Sequence, residues 1–68
     1  MEETALREAR LRYESAYLAY KECAARMAEK LRLKSVPTAD DLRAEAEALT
    51  TLTGVRARLL ELIRQSFG

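Results

Sequence analysis

The chain has 68 residues, a formal net charge of +1 and one cysteine, and it lacks histidine and tryptophan. That length holds one domain, and below about 70–80 residues a core alone rarely supplies more than ~3–5 kcal/mol. One cysteine closes no internal disulfide and the residues offer no zinc-type ligand set, so association or close helix packing is left to carry the fold.

Alanine and leucine dominate the composition, and with Glu, Lys and Arg they favour helix throughout. The first helix is predicted over residues 3–34. Leu6, Ala9, Tyr13, Ala16, Tyr20, Cys23 and Met27 recur at alternating spacings of three and four, which is one buried helix face. Tyr17, Ala24 and Leu31 broaden it. Arg26, Lys30, Arg32 and Lys34 place positive charge at the negative end of the helix dipole.

The turn is predicted over residues 35–38, around the only proline, Pro37. Pro37 biases Val36 away from helical geometry. Thr38 is a good N-cap, and Asp41 three residues on completes a variant of the capping box, with Asp in place of Glu. Asp40 and Asp41 suit the positive end of the second dipole.

The second helix is predicted over residues 39–66, with Leu42, Ala46, Leu49, Leu52, Val55, Leu59, Ile63 and Phe67 as its apolar stripe. Thr50, Thr51, Thr53 and Gly54 form a cluster of poor helix formers that costs about 2–3 kcal/mol relative to alanine. The stripe keeps its phase across Gly54 apart from Arg56, so one continuous helix is expected, with Thr53-Gly54 as the place where it would kink or break.

The expected fold is all-α: one helical-hairpin domain spanning residues 1–68, of two long antiparallel helices, completed to a four-helix bundle by association. A short turn joins antiparallel neighbours. Charge points the same way, since folding back sets Arg26, Lys30, Arg32 and Lys34 beside Asp40, Asp41, Glu45 and Glu47. It also sets Glu2, Glu3 and Glu8 near Arg58 and Arg64. The intrachain seam is assigned to Leu6, Tyr13, Tyr20, Met27, Leu42, Leu49, Leu52, Leu59 and Ile63.

Two helices shield one face of each other, and this chain carries more apolar surface than that. Leu11, Tyr17, Leu18, Leu60, Leu62 and Phe67 are assigned to a partner interface. Burying a Leu or Phe is worth ~1.5–3 kcal/mol, so leaving this set wet forfeits much of a small domain's stability. The partner is a second copy, giving a coiled-coil-like homodimer, or a larger helical protein that receives the hairpin. Arg56 stands out because it falls where the stripe expects an apolar residue. It snorkels, or it pairs with a partner's carboxylate.

Other functions have weaker support. Arg26, Lys30, Arg32 and Lys34 are candidate phosphate contacts, and a dimer would merge two such patches into a nucleic-acid-binding surface with a regulatory role. Dipole complement and solvation explain them more simply, and the near-neutral charge disfavours nucleic acid. Cys23 reads as a small packing residue. Without histidine or a Gly-rich phosphate loop, no catalytic or cofactor-binding set is assigned and no enzyme is expected. No apolar run approaches the ~20 residues of a membrane span, and the Met-Glu-Glu-Thr start lacks a signal-peptide pattern. A cytoplasmic location with Cys23 as a thiol is the expectation.

In outline the chain resembles the RNA-binding helical-hairpin dimers that regulate plasmid copy number. From Ala46-Glu47-Ala48-Leu49 onward it also resembles the small helical-hairpin co-chaperones of type III secretion needle subunits. The second resemblance covers about half the chain. These likenesses imply a chaperone-like, adaptor or regulatory binding role and transfer no functional residue.

Overall fold

The structure, a computed structural model, describes residues 2–67, with side chains from Thr4 to Phe67. Two helices, α1 (Glu2–Arg32) and α2 (Ala39–Phe67), pack antiparallel as a hairpin measuring 49 × 15 × 14 Å. The side chains of Glu2 and Glu3, assigned to charge pairing at the open end, lie outside the described residues.

α1 stops two residues short of Lys34, and the stop is built from backbone. Lys34 takes φ 61°, in the left-handed region. Its N–H donates to the Leu31 carbonyl at 3.0 Å, and the Ser35 N–H reaches back to the Lys30 carbonyl at 2.7 Å. This is the Schellman closure, with lysine where glycine is usual. The start of α2 follows the expected capping box. The Asp41 N–H donates to Thr38 Oγ1 at 3.1 Å, and the Thr38 N–H donates to Asp41 Oδ2 at 2.8 Å. Each bond satisfies a donor that the first helical turn leaves without an intrahelical acceptor.

α2 runs unbroken through Thr53-Gly54, as the unchanged phase of its stripe indicates. Thr50 and Thr53 donate their hydroxyls to the carbonyls of Ala46 and Leu49 at 3.0 and 2.9 Å, so neither competes with the helical ladder. Gly54 meets open space, and half-buried Leu52 and Val55 on either side hold the helix against α1.

The seam is thin. Among the described residues only Ala9 and Ala16 are fully buried, at 6% and 8% exposure. Leu6, Tyr13, Tyr20 and Met27 of α1 and Leu52, Leu59 and Ile63 of α2 are half-buried, as assigned. Leu42 and Leu49 are not in the seam; they are 52% and 43% exposed. The reason is the phase of α2. Asp41, paired with Lys30, faces inward, and the inward row runs through Glu45, Ala48, Leu52, Val55, Leu59 and Leu62, all half-buried. Leu42 sits one residue on, about 100° around the helix. The same row removes Leu62 from the partner face and places it beside Ala5, Ala9 and Val55.

Candidate functional site

The two sides of the seam differ. One bears an open groove of about 290 Å³ lined by Ala5, Glu8, Ala9, Arg12, Gly54, Val55, Arg58 and Leu62. With about 100° of rotation per residue, Glu8, Arg12 and Arg26 of α1 and Glu47 and Arg58 of α2 project to this side. It is polar. The other side bears a groove lined by Tyr20, Ala24, Met27, Ala28, Leu31 and Glu45. Leu42, Leu49, Leu60 and Phe67 of α2 project the same way, beside Tyr17 and Leu31 of α1, and all six are exposed. This broad apolar face is the candidate site. Leu60, Ile63 and Phe67 form a further hollow at its open end, with Arg64 on the rim.

The residues assigned to the partner interface do not all meet. Tyr17, Leu60 and Phe67 lie on the apolar face. Leu11 and Leu18 are exposed on the back of α1, about 180° from the seam, and join no other apolar group. Leucines spaced by seven read as a seam in sequence, yet they form one only where another element meets them. The residues added to the face are Leu31, Leu42 and Leu49. Their signal in the sequence was present but was absorbed into the intrachain stripe.

Aromatic groups stiffen the α1 half of the face. The Tyr13 and Tyr17 rings are 6.4 Å apart with planes tilted by 30°, and Lys21 Nζ lies 6.0 Å from the Tyr17 ring centre. Cys23 is half-buried as a free thiol beside the seam.

The basic cluster is partly engaged. Lys30 is paired with Asp41 across the helices, and Arg32 grips Glu29 on its own helix at 2.6 Å. Those bonds raise the Arg32 pKa above its ordinary value. Asp41 moves the other way, down to about 2, held there first by the hydrogen bond from Lys30 and then by the Thr38 N–H. Of the four candidate phosphate contacts, Arg26 and Lys34 have no ion-pair partner among the described residues. Among the described residues the expected charge pairing between helices therefore reduces to one bridge at the turn. Arg43–Asp40 and Arg64–Glu61 are pairs within α2.

Glu45 and Arg56 stand apart from these pairs. Glu45 is half-buried at the edge of the apolar groove, and Arg56 is exposed within the leucine stripe. Neither has an ion-pair partner among the described residues.

No group of His, Cys, Asp and Glu among the described residues could hold a metal ion, and no described helix is long and apolar enough to cross a membrane. Compared with known proteins, the chain matches no family model, no curated protein and no solved structure.

Proposed function

We propose that the hairpin is a non-enzymatic protein–protein interaction module, working as an adaptor or co-chaperone-like element. Its apolar face is covered in the assembly by a second copy or by a larger helical protein. The observation that carries this is surface area. A compact monomer of 7.7 kDa exposes about 4,300 Å². This chain exposes 5555 Å², an excess of about 1,200 Å². Its radius of gyration of 15.4 Å exceeds the ~11 Å of a compact domain of this length. The excess is of the size one partner buries in a standard interface, about 800 Å². The exposed surface includes a face bearing Leu42, Leu49, Leu60, Phe67 and Tyr17. The lone half-buried thiol of Cys23 suits the reducing cytoplasm, where we place this activity.

Helical circular dichroism read beside solution mass tests this. The expected result is a helical assembly, or a chain that is poorly helical until a partner is added. A stably helical monomer would overturn the reading.

A further inference from the structure

The unpaired charges on the apolar face specify an occupant. Glu45 and Arg56 are eleven positions apart on α2, about three helical turns, so they lie on one row. That row reads Leu42, Glu45, Leu49, Leu52, Arg56, Leu59, with spacings of three, four, three, four and three. The spacing is a palindrome, and reversal exchanges the acid with the base while leucine replaces leucine.

We infer that a second copy of this chain covers the apolar face, α2 against α2 and antiparallel, in the register that sets Glu45 of each copy against Arg56 of the other. The inference rests on the interaction-module reading above and specifies its partner. The contact is isologous: one two-fold axis between Thr50 and Thr51 makes both ion pairs at once. Between them exposed Leu49 and Leu42 meet the part of Leu52 and Leu59 of the second copy that α1 leaves uncovered. Carried across the seam through the Lys30–Asp41 level, the same axis sets Tyr17 against Ala24 of the second copy and Tyr13 against Ala28 of the second copy, large against small. The product is an antiparallel four-helix bundle with the two turns at opposite ends.

Other pairings leave the charges worse placed. Two α2 helices aligned in parallel would stack Arg56 on Arg56 and Glu45 on Glu45. A copy turned so that both turns lie at one end would set α2 on α1. There the facing positions are Tyr13, Tyr17, Ala24 and Ala28, and neither charge meets its opposite. Charges at an apolar contact are tolerated when paired, and their main effect is to fix register. Neither residue has an ion pair among the described residues, so exchanging them leaves the hairpin's described ion pairs intact.

Sedimentation equilibrium on the full chain tests the register through four samples: wild type, Glu45→Arg, Arg56→Glu and the double exchange E45R/R56E. The wild type is expected to dimerise. Each single variant sets like charges together twice per dimer and should weaken association at least tenfold, with helix content in circular dichroism falling only in step with dissociation. The double exchange should restore wild-type affinity. Mixing the two single variants should give a heterodimer, because each then supplies the charge the other lacks. A wild-type dimer indifferent to both single variants, or a double exchange as weak as either, overturns the register and leaves the interaction-module reading standing. A wild type that is monomeric and poorly helical overturns the second copy alone. A stably helical monomer overturns both.

Discussion

The turn end and the apolar face of this hairpin are opposites in completeness. At the turn, Thr38 and Asp41 cap each other, Ser35 and Lys34 close the end of α1, and Lys30 bridges to Asp41. Its local bonds all come from within a dozen residues of one chain. On the face, Leu42, Leu49, Leu60 and Phe67 stand exposed, and Glu45 and Arg56 have no ion pair among the described residues. The difference separates two kinds of instruction in one short sequence. Capping and turn chemistry make a hairpin. The stripe beside the seam is surplus to that task, and surplus apolar area is what association uses.

The largest expected effect breaks the face and leaves the turn alone. Leu49→Glu places a charge at the centre of the proposed contact and should weaken self-association by about a hundredfold, roughly 2.7 kcal/mol. Leu18→Glu, on the isolated back of α1, should leave association and stability within about 0.5 kcal/mol of wild type. Concentration-dependent sedimentation of both variants measures the contrast. Equal effects would dissolve the distinction between the two leucine sets.

The seam comes next. Ala16 is 8% exposed where the helices approach, so Ala16→Leu has no space to fill and should destabilise the hairpin by about 1–3 kcal/mol in chemical denaturation. Sharpening the turn side, Thr38→Ala removes one cap acceptor and should cost about 1 kcal/mol, with the apolar face unaffected.

Acid acts on the same end. The Asp41 pKa falls from 3.8 to about 2 on folding, so its ionised form stabilises the hairpin above its unfolded pKa. That contribution is lost as pH falls from about 4 through about 2. The thermal midpoint should fall over that window, and Asp41→Asn should flatten the fall. The smallest effect is a gain. Gly54 has open space around a new Cβ and negative φ, so Gly54→Ala should stabilise α2 by about 0.5–1 kcal/mol in the same assay.

Both helices, the turn and the capping pair were legible because their causes are local. Periodicity sets a helix, Pro37 and the Schellman closure end one, and Thr38 and Asp41 begin the next. The face was legible only in part, for a reason of phase. Leu42, Leu49, Ile63 and Leu52, Leu59 are interleaved heptad rows on α2, and composition does not say which of them α1 will cover. The packing of the two helices decides it: Asp41, paired with Lys30, faces inward, and Leu42 and Leu49 face out. Leu62 moved the other way for the same reason. Leu11 and Leu18 kept the right spacing, but no neighbour meets them. Arg56 was conspicuous in the sequence as a charge in an apolar stripe. Its counterpart Glu45 was not, because it had been counted among the acids facing the basic end of α1.

The central prediction is that this hairpin exposes more apolar surface than a lone molecule sustains. Solution mass measured across a wide concentration range, with helix content followed in the same samples, tests that claim most directly. The prediction is a helical dimer that loses helix as it dissociates on dilution. A monomer that stays fully helical at every concentration would contradict it.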